Sequence, residues 1–271
     1  MILNTPDFNL KATLESGQVF GFQKKENEVY EGFISNSFVR LRQNAHCLEV
    51  ETAGNQLSEQ QIINFFHLDF DLTPIYEILA EHPKLNALAK SFKGLRIIRQ
   101  DSWEALACFI ISSNNNIKRI QKIRKNLAEA FSDSFFGFPK ADQVAKTNEL
   151  HLRKLGLGYR APFLMEVSRQ VTQNPDLFAH LRAMTYQEAK EKLMELKGIG
   201  EKVSDCVLLF GLQKYEAFPV DVWIWRAMRK LYFRNRKTSE EKIRSFAQKR
   251  WGINSGYIQQ YLYYGIKNGG L

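Results

Sequence analysis

The pattern of apolar and polar residues changes once along the chain, near Thr52. Before that point the two kinds of residue alternate in short segments, separated by turn-forming stretches such as "ESG", "KEN", "SNS" and "QNA". Alternation with a period of two, interrupted by turns, is typical of strands in an antiparallel sheet. We therefore predict a small N-terminal sheet with strands at "FNLKATL", "QVFGFQKK", "EVYEGFI", "SFVRLRQ" and "HCLEVE".

After Thr52, apolar residues recur every three or four positions, as in "PIYEILAEHPKLNALAKSF" and "SWEALACFIISS". This spacing predicts amphipathic helices. Helix starts are indicated by three capping-box pairs: Asp101 with Glu104, Thr185 with Glu188, and Thr238 with Glu241.

One further strand is predicted at Phe92–Asp101, "FKGLRIIRQD", just before the helical part. A domain boundary near Gly94 follows from it. We expect an α+β protein in which an N-terminal antiparallel β domain with helices (residues 1–94) packs on a larger helical domain (residues 95–271).

The composition favours a folded, basic protein. In 271 residues, 44% are hydrophobic, and 38 lysines and arginines oppose 29 acidic residues to give a net charge of +9. Such a charge makes a polyanion the first partner to consider. The N-terminus lacks a signal-peptide pattern and no apolar run reaches membrane-spanning length, so we expect an intracellular protein with no membrane partner.

Cysteine is too sparse for a metal cluster. Only Cys47, Cys108 and Cys206 occur, whereas an iron–sulfur or structural zinc site needs four convergent ligands. We expect no metal and no cofactor, and a reducing compartment.

A glycine turn joins two predicted helices in "EAKEKLMELKGIGEKVSDCVLLFG". Gly198 and Gly200 permit positive φ and a close approach of the backbone, which leaves amide groups at the next helix start free to point outward. Together with Lys197, this hairpin is suited to gripping a phosphate, an interaction that the helix dipole reinforces. The same pattern also fits a plain helix C-cap.

Lys202 follows this turn, in the first turn of the second helix. The positive end of the dipole disfavours an ammonium group there, and an uncharged amine is a nucleophile. Cys206, four residues later, shares the same helix face. From these residues alone, a solvated lysine over a structural cysteine is the stronger interpretation.

Asp221 lies after Pro219, at the predicted start of another helix in "EAFPVDVWIWRAMRK". Two interpretations are open. The carboxylate could cap the helix, or it could stay ionised among apolar neighbours and stabilise a developing positive charge.

These segments together resemble the helix-hairpin-helix DNA glycosylases, and among them the 8-oxoguanine DNA glycosylase/lyase branch. The resemblance covers nearly the whole chain in the right order. It is carried by "LESGQVFGF", "ISSNNNIKRI", "LGLGYRAPF", "LKGIGEKVSDC", "PVDVWIWR" and "SGYIQQYLYY".

The resemblance implies a catalytic pair. Lys202 would attack the sugar C1′, expel the damaged base and form a Schiff base, and β-elimination would then nick the strand. Asp221 would steady the oxocarbenium-like transition state. The implied partner is duplex DNA that carries 8-oxoguanine or a ring-opened purine opposite cytosine, bound by a monomer.

The resemblance also implies roles around the extruded nucleotide. Four residues would wedge the helix and hold the orphaned cytosine: Asn114, Arg119, Tyr159 and Arg160. Four others would recognise the base, with the Gly17 carbonyl accepting the N7 hydrogen, Gln259 reading the Watson–Crick edge, and Tyr263 and Cys206 flanking the ring. Two positions depart from the family pattern: Tyr263 replaces a phenylalanine, and Trp223 replaces a histidine that contacts phosphate.

The basic run "NNNIKRIQKIRK" follows the first wedge segment. Its cations, Lys118 through Lys125, form either a solvated helix face or an extension of the phosphate-binding surface. Two other functions stay open for the chain: a helix-hairpin-helix module that only binds DNA, and an alkylated-base glycosylase, which would retain the aspartate but lack Lys202.

Overall fold

A computed structural model describes residues 1–131 and 137–270 of the chain. Its N-terminal part contains a five-stranded antiparallel sheet of order β1-β5-β4-β3-β2. The strands are β1 (Ile2–Asn4), β2 (Gln23–Lys24), β3 (Tyr30–Ile34), β4 (Ser37–Asn44) and β5 (Cys47–Ala53).

The last three strands form a meander, as their alternating pattern predicts. Ile34 pairs with Ser37 across a two-residue turn, and both turn residues, Ser35 and Asn36, have positive φ. Such a turn matches the natural twist of paired strands. Every second side chain of these strands faces the sheet's own core.

Two strand predictions were wrong and a third was correct only in part. Most of "FNLKATL" belongs to the helix α1 (Leu10–Glu15), because the Asn9 side chain accepts a hydrogen bond from the Ala12 amide and caps the helix. In "QVFGFQKK" only Gln23–Lys24 is a strand.

The segment Phe92–Asp101 contains no strand. It begins with a turn at 92–94, and side chains occupy backbone groups that a neighbouring strand would otherwise pair with. The Ile98 amide donates to Gln18 Oε1 at 2.7 Å, and Gln18 Nε2 donates to the Arg96 carbonyl at 2.8 Å. Leu95, Ile97 and Ile98 are nevertheless fully buried, which explains why the sequence of this segment resembles a strand.

The helical part begins before this segment and continues to the C-terminus. Its helices are α2 (Glu59–Phe66), α3 (Thr73–Ala80), α4 (Pro83–Ser91), α5 (Ser102–Ser112), α6 (Ile117–Phe131), α7 (Ala141–Ala145), α8 (Glu149–Leu152), α9 (Ala161–Gln173), α10 (Leu177–Ala183), α11 (Tyr186–Met194), α12 (Glu201–Leu212), α13 (Val222–Tyr232), α14 (Glu240–Trp251) and α15 (Ser255–Lys267). A π turn and a short 3₁₀ turn join α8 to α9.

Two hydrophobic cores lie in these parts. The smaller one fills the space between the sheet and α2, and the larger one is built by the helices. Helices α3 and α4 precede Gly94 in the chain but pack in the larger core, against α15. The domain boundary near Gly94 stays a prediction.

The predicted helix caps hold at two of three positions. Asp101 accepts from the Glu104 amide, and Thr185 with Glu188 forms a reciprocal capping box. At α14 the prediction was wrong by one residue, because the N-cap is Ser239 and not Thr238. In the described ranges no helix is long and apolar enough to cross a bilayer.

Candidate active site

One large cavity lies where five separate segments of the chain meet. It opens between the loop after α1, the α5–α6 loop, the start of α12, the start of α13 and one face of α15, and has a volume of about 1190 Å³. Pockets for drug-sized ligands typically span about 300–1,000 Å³, so a nucleotide fits. Seven of the predicted site residues line it: Gly17, Asn114, Lys202, Cys206, Asp221, Gln259 and Tyr263.

Lys202 enters the cavity from the first turn of α12. Gly200 is the N-cap of this helix, and the lysine side chain is partly buried, with Nζ 5.5 Å from the centroid of the Phe109 ring. Cys206 lies one turn further along, fully buried. Burial raises the pKa of its thiol to about 11 although Lys202 acts in the opposite direction, so the sulfur is a neutral thiol.

Asp221 reaches the same cavity from the start of α13. Its Oδ1 accepts hydrogen bonds from the Trp223 amide at 3.0 Å and the Ile224 amide at 2.8 Å, so the residue is the helix N-cap. Both bonds use one oxygen, and the cap leaves Oδ2 unused. The capping interpretation is therefore correct, and it is compatible with a charged group in the cavity.

Gly17 is held against the opposite wall by α15. Its φ is +79°, and a Cβ at this position would lie 3.0 Å from Cε1 of Tyr263. Gln260 Nε2 donates to the preceding carbonyl, of Ser16, at 3.0 Å. Only glycine fits here without strain, and its backbone is fixed facing Tyr263.

Gln259 offers an acceptor without a partner. The side chain is buried, its Nε2 donates to the Pro219 carbonyl at 3.3 Å, and its Oε1 has no hydrogen-bond partner among the described residues. A buried, unpaired amide oxygen is costly unless a ligand supplies a donor. Four positions later on the same helix, burial raises the pKa of Tyr263 to about 12, which keeps its phenol neutral.

The predicted wedge residues lie outside or at the edge of this cavity. Asn114 lines it with a positive φ of 46°. Tyr159 is 48% exposed and donates to the Ser113 carbonyl at 3.2 Å. Arg160 is only 3% exposed, because its guanidinium donates to the carbonyls of Ser113 and Asn114. Arg119 is exposed on the first turn of α6.

The hairpin between α11 and α12 has the expected shape, with one correction. Gly198 has a φ of +86°, and a Cβ there would lie 2.6 Å from the Phe163 ring. Gly200 has an extended backbone, with φ −98°, so positive φ is required at only one of the two glycines. No heavy atom lies within 4 Å of a Cβ built on Gly200, and Lys197 is exposed beside it. A ligand can therefore approach the backbone closely at this turn.

Comparison with known proteins agrees with this architecture. Residues 1–106 match the 8-oxoguanine DNA glycosylase N-terminal domain, and residues 107–252 match the HhH-GPD superfamily of base excision DNA repair proteins. A probable N-glycosylase/DNA lyase from Methanothermobacter thermautotrophicus is 31% identical, covering 98% of this chain and 95% of that protein. The chain belongs to the 8-oxoguanine DNA glycosylase family.

Two further relatives fix the extent of the similarity. The Clostridium acetobutylicum 8-oxoguanine glycosylase/lyase, in complex with double-stranded DNA containing cytosine opposite 8-oxoG, superposes with a TM-score of 0.90 at 29% identity, covering 100% of this chain and 99% of that one. The N-glycosylase/DNA lyase OGG1 of Arabidopsis thaliana is 30% identical over 83% of this chain, which spans 66% of that protein's length.

The sequence analysis of this 8-oxoguanine DNA glycosylase family member missed a buried ionic cluster behind the hairpin. Arg244 of α14 contacts Asp205 Oδ2 at 2.7 Å and Glu201 Oε2 at 2.5 Å, and Lys190 of α11 lies 3.5 Å from Asp205. Tyr186 donates to Asp205 Oδ1 at 2.5 Å. Glu201 and Asp205 flank Lys202, so the cluster ties the first turn of α12 to two other helices.

The basic run on α6 is only partly a surface. Lys118, Lys122 and Lys125 are exposed, but Arg124 is buried and pairs with Glu104 at 2.6 Å. Its inclusion in a phosphate-binding face was wrong, because α6 turns this position towards α5. In the described parts of the chain, no three acidic, histidine or cysteine side chains converge as a metal ion would require.

Proposed function

We propose that the protein is a bifunctional DNA glycosylase and abasic-site lyase. It excises 8-oxoguanine, together with ring-opened purines, opposite cytosine in duplex DNA. The observation that carries this proposal is the convergence of an amine, Lys202, and a carboxylate, Asp221, in one cavity whose other walls are suited to an oxidised purine.

The chemistry proceeds in two stages. Lys202 Nζ attacks C1′ as the bond from C1′ to the base breaks, and the base leaves with the bonding electrons. Asp221 Oδ2 stabilises the positive charge that develops on the sugar. Loss of a proton from nitrogen and opening of the bond from C1′ to the ring oxygen give a protonated Schiff base. Removal of a C2′ proton then expels the 3′ phosphate, which cleaves the strand.

Base selection is supported by the unpaired acceptor in the cavity. Guanine and its oxidised form both present N–H donors along the Watson–Crick edge, which Gln259 Oε1 can accept. Only the oxidised form carries a hydrogen on N7. A backbone carbonyl at Gly17 that accepts this hydrogen would therefore reject normal guanine, because two facing lone pairs would be left unpaired.

Recognition of the orphaned cytosine requires side chains to move. Cytosine offers acceptors that arginine and asparagine donors satisfy. The Arg160 guanidinium is engaged with the carbonyls of Ser113 and Asn114, and Tyr159 with the former. We expect DNA binding to release both side chains, so that Tyr159 fills the gap left by the extruded base and Arg160, with Asn114 and Arg119, holds the cytosine.

Borohydride trapping tests the proposal directly. The expected result is a covalent protein–DNA adduct on duplex carrying 8-oxoguanine opposite cytosine, lost in Lys202→Gln and retained in the control Lys93→Gln, whose side chain is exposed outside the cavity. Base release without an adduct would favour the alkylated-base type of glycosylase. Binding without base release would favour a DNA-binding module.

Single-turnover excision opposite each of the four bases tests the preference for cytosine. Equal rates opposite all four would contradict the roles of Arg160 and Asn114. The monomeric state and the intracellular location stay predictions from the sequence.

A further inference from the structure

Many lysine and arginine residues lie along α13 and the loop that follows it, beginning near the candidate active site. Residues 226–237, "RAMRKLYFRNRK", contain six lysines and arginines and no acidic residue. Five of these cations are exposed or project from the loop after the helix, and we call them the α13 track: Arg226, Lys230, Arg234, Arg236 and Lys237. In the described parts of the chain, none of the five lies within 4.0 Å of a carboxylate oxygen.

The track begins at the mouth of the cavity. Trp223, two residues after Asp221, lines the cavity and is 50% exposed. The guanidinium of Arg226 lies 5.5 Å from the Trp223 ring. Since α13 has 11 residues, the track extends about 16 Å along the helix from the active site before the loop begins.

The loop at the far end is held rigidly by the sixth cation. Arg229 stacks on Trp225, with its guanidinium carbon 4.2 Å from the ring centroid, and donates to the carbonyls of Asn235 and Arg236. Trp225 Nε1 donates to the Thr238 carbonyl at 2.8 Å. These bonds fix the backbone of the loop through its carbonyls, while the side chains of the loop cations stay exposed.

The loop backbone passes through the left-handed region at two consecutive residues. Arg234 and Asn235 have φ of 49° and 58°, although neither is glycine. Asparagine adopts this conformation readily, whereas arginine does so only where surrounding contacts impose it, as the bonds from Arg229 do here. The negative end of the helix dipole explains the cations in the last turn of α13, but three further cations lie beyond that turn, in the loop.

We propose that the α13 track is a second phosphate-binding surface, which contacts the DNA backbone on one side of the damaged nucleotide. This rests on the proposed action on duplex DNA. We infer that the track runs along the duplex, where about 16 Å corresponds to roughly five base pairs at about 3.4 Å each. Because phosphate contacts carry no sequence information, the surface serves damaged and undamaged DNA alike.

Equilibrium binding by fluorescence anisotropy, measured over a range of salt concentrations, tests the surface. The variant Arg234→Gln/Arg236→Gln/Lys237→Gln is compared with Lys84→Gln/Lys90→Gln/Lys93→Gln, which removes the same charge from exposed lysines that do not line the cavity. The slope of log K against log salt should fall in magnitude by about 2 to 3 in the first variant, one for each lost contact, and hardly at all in the second. Equal slopes in the two variants would overturn the proposal.

The geometry is tested with two duplexes in which one arm beside 8-oxoguanine is shortened to three base pairs and the other arm keeps ten. For the unmodified protein, one of these duplexes should bind more weakly than the other. The loop variant should not distinguish them. An unmodified protein that binds the two equally, or a loop variant that keeps the full difference, would refute a one-sided track.

Two further measurements separate this surface from the chemistry and from simple charge. The slope change should also appear on undamaged duplex, so failure of borohydride trapping would refute the proposed chemistry and leave the proposed surface standing. Successful trapping without a slope change would refute only the surface. Arg229→Lys keeps the charge but loses the forked contacts to the loop carbonyls, and we expect weaker binding from it. Unchanged binding would contradict the pinned loop.

Discussion

The ionic cluster behind α12 gives the sharpest stability prediction, for Arg244→Met. In the folded protein Arg244 pairs with Asp205, which is fully buried, and with Glu201, whose side chain is 47% exposed. Methionine fills similar space without charge. Asp205 would keep Lys190 at 3.5 Å and the Tyr186 hydroxyl at 2.5 Å as its partners.

The magnitude follows from the unequal burial of the two acids. Removing one partner of a buried ion pair costs about 3–5 kcal/mol. In Arg244→Met, Asp205 loses its nearer cation, at 2.7 Å, and keeps only the more distant Lys190, at 3.5 Å, to balance a fully buried charge. The contact with Glu201 adds little, since solvent screens a half-exposed carboxylate. In chains of about 150–250 residues, each kcal/mol of lost stability lowers the unfolding midpoint by about 2–4 °C. This chain is slightly longer, and the loss above corresponds to a fall of roughly 6–20 °C at most.

Circular dichroism during heating or urea titration measures this loss, and the variant Arg244→Met/Asp205→Asn is the matched control. Replacing both charges removes the poorly balanced buried carboxylate, while Lys190 keeps Glu201 at 3.4 Å as its partner. The double variant should therefore be more stable than Arg244→Met alone. If Arg244→Met unfolds within about 1 kcal/mol of the unmodified protein, or if the double variant is the less stable of the two, the cluster does not hold α12 as we infer.

Three further outcomes are expected. Burial lowers the pKa of His67 to about 4, so the folded state prefers the neutral ring. The contribution of His67 to the free energy of unfolding is then fully present above the pKa of the unfolded chain, near 6.5, and should fall by up to about 3 kcal/mol as the pH drops to 4. Unfolding measured at several pH values should show a flatter dependence for His67→Asn, because asparagine tolerates the left-handed backbone at this position. Asp221→Asn should slow base release at least about 100-fold in single-turnover assays while lesion binding is nearly intact and stability stays within about 0.5 kcal/mol, because asparagine is an equally good N-cap; equal loss of binding and excision would indicate a structural aspartate. Gly17→Ala should cost about 1–2 kcal/mol and lower excision of 8-oxoguanine, because its φ is +79° and its Cβ would meet the Tyr263 ring; unchanged excision would argue against a positioned carbonyl.

Local patterns were sufficient for the parts of the site that depend on one helix or one turn. Lys202 and Cys206 share a helix face because they are four residues apart, and the two glycines before them identify a turn from the sequence alone. The meander from Tyr30 to Ala53 was predictable for the same reason, since its strands alternate strictly and its turns are short.

Where local and tertiary preferences compete, the sequence was misleading. "FNLKATL" alternates like a strand, yet Asn9 supplies an N-cap and Leu10 and Leu14 also lie one helical turn apart. Leu95, Ile97 and Ile98 resemble a strand because they are buried, but the Ile98 amide donates to the Gln18 side chain and the Leu95 amide to the Phe92 carbonyl. The residue pattern of the segment does not indicate such partners.

Contacts between distant segments could not be inferred at all. In the sequence Asp205 is only a residue close to Lys202, the proposed nucleophile, and its partner Arg244 lies 39 positions later on another helix. The same holds for Arg229, whose bonds to its own loop were invisible in a run that reads only as basic. In each case the sequence shows the charged residue, but it does not show whether the charge is buried in an ion pair or exposed to solvent. That distinction separates a cation that stabilises the fold from one that binds DNA, and it is why Arg124 failed as a surface residue while Arg234 and Arg236 became candidates for a new one.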